Sequence, residues 1–214
     1  MLYIVLLCCL IGGYLLGSIN TSVIVGKFFG VDIRKKGSGN AGATNTLRTL
    51  GKKAAAVVLL GDVAKAVIAI LLAMLAARLI FPGEYDISLY CRYLAGLGAV
   101  LGHNFPLYFG FRGGKGILAS ISCITMLDWR IGLILIVICI LIMAVTRYVS
   151  LGSISGAILY PLFVVAFNMN NKEPYVPYYI ALSIAIALLA LYQHRSNLGR
   201  LMKGTESKLG SKQG

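Results

Sequence analysis

Acidic side chains are scarce in this sequence, which has seven aspartates and glutamates among 214 residues. The seven are scattered along the chain, so they form no carboxylate cluster of the kind that holds magnesium or calcium. The cysteines and histidines do not show the spacing of a zinc site either. We therefore expect no metal and no other cofactor, which disfavours metal-assisted chemistry such as that of the CDP-alcohol phosphotransferases.

The sequence also lacks the signals of a disulfide framework and of a nucleic-acid-binding domain. Its five cysteines lie in or beside apolar segments and include no CxxC pair, as expected of packing residues. The net charge of +13 is not carried by a soluble basic domain or an aromatic-rich single-strand motif, so we expect no nucleic-acid partner. Anionic membrane lipids and phosphorylated substrates suit this charge better.

Apolar residues, in contrast, are abundant. Hydrophobic residues make up 58% of the chain and charged residues 13%, and the mean hydropathy is +0.84. These values indicate an all-α integral membrane protein, and the length suits a single domain over residues 1–214. Seven apolar segments predict seven transmembrane helices. The segments are residues 2–25, 54–79, 89–101, 117–127, 131–145, 151–167 and 178–191.

The third and fourth segments are short for a bilayer core of about 30 Å. Short or irregular segments are tolerated at membrane depth only where protein or a water-filled cavity satisfies the backbone, so these two point to a site. The first segment lacks a basic n-region and an A-x-A cleavage site, and we expect it to be a retained span. Its residues Gly12, Gly13 and Gly17 predict close packing against neighbouring helices.

Basic residues are unevenly distributed between the loops. The loop after the first segment and the tail after the last one carry most of them, whereas few lie in the loops of the opposite side. The positive-inside rule then predicts that the N-terminus is outside and the C-terminus inside. With this topology, every polar, glycine-rich stretch lies at the cytoplasmic face.

The first of these stretches, residues 32–48, reads DIRKKGSGNAGATNTLR. Glycines let backbone N–H groups converge on a ligand, and hydroxyl, amide and cationic side chains add donors, so this composition indicates an anion-binding loop. The alternative is a flexible basic loop that satisfies only the positive-inside rule. Whether Asp32 and Arg34 touch a ligand or only fix the loop is left open. The candidate binding residues are Gly37, Ser38, Gly39, Asn40, Asn45 and Arg48.

The second stretch, residues 102–116, reads GHNFPLYFGFRGGKG. It is not a Walker A loop, because Phe109 stands where that motif needs glycine and Gly116 where it needs serine or threonine. Nucleotide binding is therefore disfavoured, while phosphate binding is favoured. The alternative is a re-entrant packing turn with cations that reach the interface. The candidate binding residues are Arg112, Gly113, Gly114, Lys115 and Gly116.

The third stretch, residues 193–206, follows the last apolar segment and reads QHRSNLGRLMKGTE. His194 and Asn197 are three residues apart and share a face if the helix continues. A histidine at a membrane boundary is commonly only interfacial, and this alternative is left open, but the two other candidate anion-binding loops at the same face make a donor or proton-transfer role a hypothesis to test. Glu206 is expected to form a structural ion pair. Within the second apolar segment, Asp62 and Lys65 are expected to pair with each other and to support the site.

These stretches together resemble the PlsY family of bacterial membrane glycerol-3-phosphate acyltransferases, which use acyl-phosphate. The matching motifs are GSGNAGATN at residues 37–45, GHNFP at 102–106, GGKG at 113–116, HRSN at 194–197 and GTE at 204–206. The resemblance covers nearly the whole chain. Asn20 departs from the family pattern, which typically has proline after the GSI that ends the first span.

The resemblance implies transfer of a fatty acyl group from acyl-phosphate to the 1-hydroxyl of glycerol 3-phosphate, the first acylation step of phospholipid biosynthesis. It implies a multi-pass protein of the bacterial cytoplasmic membrane with its active site facing the cytoplasm, and we expect a monomer. The HxxxxD dyad of other glycerolipid acyltransferases is absent. The residues implied to line the active site are Ser38, Arg48, Lys115, His194 and Asn197, with Glu206 supporting the structure.

Two other classes of function compete with this reading. A transporter or channel for a phosphorylated anion often shows inverted repeats and charges at the membrane midplane, whereas no repeat is visible here and the polar motifs cluster at one face. A membrane scaffold without catalysis would not need three separate anion-binding motifs. We therefore favour the enzyme. The general base is left open between His194 and a substrate phosphate oxygen.

Overall fold

A computed structural model describes residues 1–210, and these residues fold into α-helices joined by loops and two short 3-10 turns. The all-helical prediction is confirmed for this part of the chain. The helices are α1 (Leu2–Gly17), α2 (Thr21–Phe28), α3 (Ala43–Leu50), α4 (Lys52–Ile80), α5 (Tyr85–Asn104), α6 (Ile117–Leu127), α7 (Trp129–Thr146), α8 (Val149–Asn168), α9 (Val176–Gln193) and α10 (Arg195–Met202).

Each of the seven predicted apolar segments lies in a helical part of the structure. Five helical stretches among the described residues are long and apolar enough to cross a membrane. One of them, Leu2–Phe28, comprises both α1 and α2, and the other four are the single helices α4, α7, α8 and α9. Helix α6 has 11 residues and is short, as predicted. Helix α5 has 20 residues and is longer than the predicted segment 89–101, because polar residues at both of its ends continue the helix.

The helices group into two compact units, one with α1–α6 and the other with α7–α10. The single domain over residues 1–214 stays a prediction.

In the first unit, α1 and α5 run parallel with their backbones in close contact. A methyl group on Gly17 would lie 2.2 Å from the carbonyl oxygen of Ala99, and one on Gly102 would lie 2.2 Å from that of Tyr14. No side chain larger than hydrogen fits at such positions. The packing predicted for Gly13 and Gly17 is therefore confirmed, whereas Gly12 has open space around its Cα.

Helix α4 packs against both α1 and α5 in the opposite direction. Its later residues Ala73 and Ala77 share a core cluster with Cys9 and Cys91, whereas Lys65, nearer its start, reaches the carbonyl oxygen of Ile19 beyond the end of α1. The middle of α4, around Lys65, thus lies beside the ends of α1 and α5. The three polar stretches, residues 32–48, 102–116 and 193–206, are called the first, second and third motifs below. The loops that carry the first and second motifs leave from this end of the unit.

The first apolar segment, predicted as one continuous span, is interrupted between α1 and α2. Ser18 Oγ donates to the carbonyl oxygen of Tyr14 at 2.8 Å and accepts from the backbone N–H of Leu107 at 3.2 Å. Asn20 then caps α2 by accepting from the N–H of Val23 at 3.1 Å. A side-chain cap on a new helix start competes with continuation of the helix, so this polar pair ends α1.

In the second unit, α7, α8 and α9 pack in chain order. A methyl group on Gly152 of α8 would approach the carbonyl oxygen of Cys139 on α7 to 2.9 Å. The rings of Tyr160 on α8 and Tyr179 on α9 meet edge to face, with centroids 6.4 Å apart. Helix α10 contacts α8 and α9, and this contact places the third motif within the unit.

The close approach of α1 and α5 predicts different responses to the same small substitution at two neighbouring glycines. Gly17→Ala forces α1 away from Ala99 and should cost about 1–3 kcal/mol of unfolding free energy. Gly12→Ala meets nothing within 4 Å and serves as the control. Thermal unfolding of the purified proteins in detergent measures both, and equal midpoints for the two variants would contradict this account of the contact.

Candidate active site

The first motif is a loop folded around the side chain of Asn45. Its Oδ1 accepts from the N–H of Ser38 at 2.8 Å, and its Nδ2 donates to the carbonyl oxygens of Ile33 and Lys36, both at 3.0 Å. Gly37 has φ +56°, and a methyl group there would lie 2.4 Å from Asn45 Oδ1. Asn45 is buried and its amide is used by the backbone, which indicates that it shapes the loop.

The predicted ligand residues of this motif lie around that amide. Ser38 and Gly39 are exposed, while Asn40 and Arg48 are half-buried. Because the N–H of Ser38 is fixed by Asn45, the serine is presented at a defined place on the loop. Arg48 lies on α3 three residues after Asn45, and therefore on the same side of that helix.

The Asp32–Arg34 pair joins the first motif to the second. Arg34 Nε donates to Asp32 Oδ1 at 3.0 Å, and Arg34 Nη1 donates to the carbonyl oxygen of Phe109 at 2.9 Å. Hydrogen bonds from Arg34 to the Asp32 carboxylate lower the pKa of that carboxyl, so it is ionised at neutral pH. These contacts indicate that the pair fixes the loop.

The second motif is pressed against the end of α5 and against the first motif. The N–H of Gly114 donates to the carbonyl oxygen of His103 at 3.1 Å. A methyl group on Gly114 would lie 2.3 Å from His103 Nε2 and 2.5 Å from the carbonyl oxygen of Ala41. A methyl group on Gly113 would likewise meet the carbonyl oxygen of His103 at 2.0 Å. Both glycines therefore let the second loop lie against the end of α5, and Gly114 also lets it approach the first loop at Ala41.

Both glycine-rich loops lead directly into the start of a helix. Residues 37–42 precede α3, and residues 110–116, with the half-buried Lys115 and the exposed Arg112, precede α6. The first N–H groups of a helix have no intrahelical acceptors, and together with nearby cations they favour anions. The two predicted anion-binding loops thus lie side by side in the first unit.

Beneath these loops lies a buried cluster of three ionisable residues. Lys65 Nζ is 3.0 Å from Asp62 Oδ1, which confirms the predicted pair. The same ammonium group is 2.9 Å from His103 Nδ1 and donates to the carbonyl oxygen of Ile19 at 2.9 Å. His103 was not predicted to be a partner of this pair. Its only signal was its position in the GHNFP motif, next to the glycines of the second loop.

In the second unit, His194 is buried at the junction of α9 and α10. Its Nδ1 lies 2.8 Å from the carbonyl oxygen of Ala190. A carbonyl oxygen can only accept, so Nδ1 carries the proton of this hydrogen bond, and Nε2 has the lone pair in the neutral ring. The N–H of Leu198 donates to the carbonyl oxygen of His194 at 2.8 Å, so the chain keeps a helical turn from His194 to Asn197.

Glu206 is the centre of the polar contacts in this unit. Its Oε1 accepts from Ser150 Oγ at 2.7 Å and from Asn197 Nδ2 at 2.6 Å, and its Oε2 accepts from Arg200 Nε at 2.7 Å. Burial raises the pKa of Glu206, but these three donors outweigh that effect and hold the pKa below its ordinary value. The predicted ion pair is present, with Arg200 as its partner.

Known proteins are similar to this chain over nearly its whole length. A family model described as glycerol-3-phosphate acyltransferase matches residues 7–204. The chain is 48% identical to the glycerol-3-phosphate acyltransferase of Shouchella clausii (strain KSM-K16), covering 94% of each chain. It is 46% identical to that of Clostridioides difficile (strain 630), covering 93% of each. The chain belongs to the glycerol-3-phosphate acyltransferase family.

Solved structures extend this similarity to the fold of the acyltransferase. The crystal structure of PlsY, an integral membrane glycerol 3-phosphate acyltransferase, in its glycerol 3-phosphate form has a TM-score of 0.80 and 35% sequence identity, and 96% of each chain is covered. The lysophosphatidic acid form of PlsY gives a TM-score of 0.77 at the same identity, with 96% of this chain and 95% of that chain covered.

The contacts of Glu206 predict how the stability of this acyltransferase depends on pH. The folded-state pKa is lowered, so the stabilisation is present above the ordinary pKa and is lost as the pH falls through the folded value. Glu206→Gln should therefore lower the thermal unfolding midpoint in detergent at pH 7. The difference in unfolding midpoint between Glu206→Gln and the parent protein should become smaller below about pH 4. The exposed Glu173→Gln is the control, and a difference that does not change with pH would refute the prediction.

Proposed function

We propose that this acyltransferase transfers a fatty acyl group from acyl-phosphate to the 1-hydroxyl of glycerol 3-phosphate, giving 1-acylglycerol 3-phosphate and inorganic phosphate. The observation that carries the proposal is the pair of glycine-rich, basic loops at one end of the first unit. Arg34 links them through the carbonyl oxygen of Phe109, and Gly114 packs against Ala41. The names of the relatives and the two ligand forms of PlsY support glycerol 3-phosphate as acceptor.

The acyl donor is inferred from the chemistry of the loops and from the family resemblance. Acyl-phosphate is a mixed anhydride with a good leaving group, so an enzyme needs chiefly to orient the two substrates and stabilise negative charge. Both substrates then carry a phosphate group. Two adjacent anion-binding loops, each before a helix start, suit that requirement, whereas neither loop has the Walker A pattern of a nucleotide site.

We assign the charged and neutral donors of the motifs different roles. Arg48 and Lys115 neutralise phosphate, because both are cationic side chains and both are half-buried. Ser38 and Asn197 donate to the reacting carbonyl group or to a phosphate oxygen. Asn197 is well placed to do so only while Glu206 orients its amide. Gly37, Gly39 and Gly116 contribute backbone geometry rather than side-chain chemistry.

In the reaction, the 1-hydroxyl oxygen of glycerol 3-phosphate bonds to the acyl carbon, and the bond from that carbon to the phosphate oxygen breaks. The hydroxyl proton goes either to His194 or to a substrate phosphate oxygen. The hydrogen bond from Nδ1 to Ala190 leaves Nε2 as the basic nitrogen of the neutral ring, which is the form a general base requires. The general base is thus either His194 or a substrate phosphate oxygen.

We also propose seven membrane crossings, with α5 and α6 added to the five long apolar stretches. The basic loops support an outside N-terminus and an inside C-terminus, which places both glycine-rich loops and the third motif in the cytoplasm. The protein would then be a multi-pass, monomeric enzyme of the cytoplasmic membrane whose polar substrate arrives from the cytosol.

The acyl donor is tested with the purified protein in detergent. Palmitoyl-phosphate should give phosphate release that depends on glycerol 3-phosphate and should yield lysophosphatidate, whereas palmitoyl-CoA should give no product. Turnover with palmitoyl-CoA but not with palmitoyl-phosphate would show that acyl-phosphate is not the donor. Uptake of glycerol 3-phosphate into proteoliposomes without turnover would instead favour a transporter.

The roles of the cations and of Ser38 predict losses of activity on substitution. Arg48→Gln, Lys115→Met and Ser38→Ala should each lower kcat/KM by about 100-fold or more, because each removes a donor from the developing negative charge. Lys172→Met removes an equal charge from an exposed turn after α8 and should leave kcat/KM unchanged. Normal turnover by Ser38→Ala would remove Ser38 from the proposed machinery.

The pH profile of His194→Gln distinguishes the two proton acceptors. If His194 is the base, kcat should fall about 100-fold and the loss of activity at acid pH should disappear from the profile. If a phosphate oxygen takes the proton, kcat should fall less and the acid limb should remain. Asn197→Ala is the matched control, because it lowers activity without removing a titrating group.

A further inference from the structure

In the buried cluster of Asp62, Lys65 and His103, the contacts of Lys65 indicate which ring nitrogen of His103 carries the proton. A protonated lysine has three N–H donors and no acceptor. Lys65 Nζ donates to the carbonyl oxygen of Ile19 and contacts Nδ1 of His103, both at 2.9 Å, and it lies 3.0 Å from Asp62 Oδ1, its ion-pair partner. His103 Nδ1 must therefore accept, and the neutral imidazole carries its proton on Nε2.

The competing arrangement has a protonated His103 that donates from Nδ1 to Asp62. The distance from His103 Nδ1 to Asp62 Oδ1 is 3.5 Å, longer than the 2.9 Å to Lys65 Nζ. Asp62 is also the partner of Lys65 at 3.0 Å. One carboxylate then balances one ammonium group, and a neutral imidazole leaves no net charge in the cluster.

The other side of the same ring contacts the two glycine-rich loops. His103 Nε2 lies so close to the Cα of Gly114 that a methyl group there would approach it to 2.3 Å. That methyl group would also meet the carbonyl oxygen of Ala41 at 2.5 Å, so the ring, the second loop and the first loop meet at one point. The backbone of His103 holds the second loop as well, because its carbonyl oxygen accepts from the N–H of Gly114.

We propose that Asp62 and Lys65 position the imidazole of His103, and that this ring in turn sets the spacing between the Ala41 and Gly114 backbones on which glycerol 3-phosphate binding depends. His103 is thus a positioning residue that acts through the loops. The inference rests on the proposed function, because it assigns glycerol 3-phosphate to these loops.

A purely structural ion pair would behave differently. Replacing a buried pair by apolar residues of similar size is often neutral for stability, since the cost of desolvating the charges is removed with their attraction. The variant Asp62→Leu/Lys65→Met should then fold and function. If the pair orients His103, the same variant should fold but lose affinity, because the imidazole is left without its anchor.

The test measures two properties of the full-length protein in detergent. Calorimetry gives the Kd for sn-glycerol 3-phosphate, and hydrogen exchange reports the protection of residues 37–42 and 107–116. The variants are His103→Asn, which keeps an acceptor near Lys65 but is too short to reach Gly114, and Asp62→Leu/Lys65→Met. Cys91→Ala is the matched control, since Cys91 is a buried residue of the same helix within the α1–α4–α5 core.

We expect both variants to raise the Kd by about tenfold or more and to speed exchange in both loops, with Cys91→Ala unchanged. In turnover, KM for glycerol 3-phosphate should rise while kcat stays within about twofold. An unchanged Kd and unchanged exchange in folded His103→Asn would overturn the proposal. If His103→Asn does not fold, the same readouts on Asp62→Leu/Lys65→Met decide.

These outcomes separate this inference from the proposed function. If the parent protein binds glycerol 3-phosphate but shows no turnover with palmitoyl-phosphate, the proposed acyl donor is wrong. The comparison of Kd values between the variants and the parent protein still decides the role of His103. If the parent protein does not bind glycerol 3-phosphate, the proposed function fails and the ligand part of this inference fails with it. Exchange in the two loops then shows whether His103 still sets their spacing.

Discussion

Backbone lies directly against backbone between α1 and α5, and the rest of the first unit depends on this contact. Gly17 and Gly102 leave no room for a methyl group between the two helices. Because the helices are parallel, their ends come together, and so do the polar segments that follow them. Ser18, at the end of α1, accepts from Leu107 in the loop after α5. The close contact therefore determines which loops can meet.

The loops themselves are held by polar side chains that hydrogen-bond to the backbone. Asn45 satisfies three backbone groups of the first motif, and Arg34 reaches from the first motif to Phe109 in the second. Such contacts fix the backbone of a loop before any ligand arrives, which reduces the entropy lost on binding. The backbone geometry of both loops thus depends on side chains whose polar atoms are used by the protein itself.

The sequence predicted the helical class, the positions of the apolar segments and the Asp62–Lys65 pair, because these depend on hydropathy and on local spacing. It did not predict the break after α1, since the strongly apolar residues before Ser18 and after Ser22 outweigh the short polar run that contains the capping amide of Asn20. The length of α5 was underestimated because polar residues at its ends count against a span. The contact between Lys65 and His103 joins residues 38 apart and depends on the register of α4 against α5, which no local pattern encodes.

Glu206 gives the segment after α10 an importance that its polar sequence does not suggest. It lies beyond the apolar helices in the chain, yet it binds Ser150 of α8 and Asn197 and Arg200 of α10. During synthesis the apolar helices are all made before this carboxylate emerges, so the surroundings of Asn197 are completed late. A chain that ended before Glu206 would keep every long apolar helix while lacking the group that orients Asn197, and membrane insertion alone would not reveal the defect.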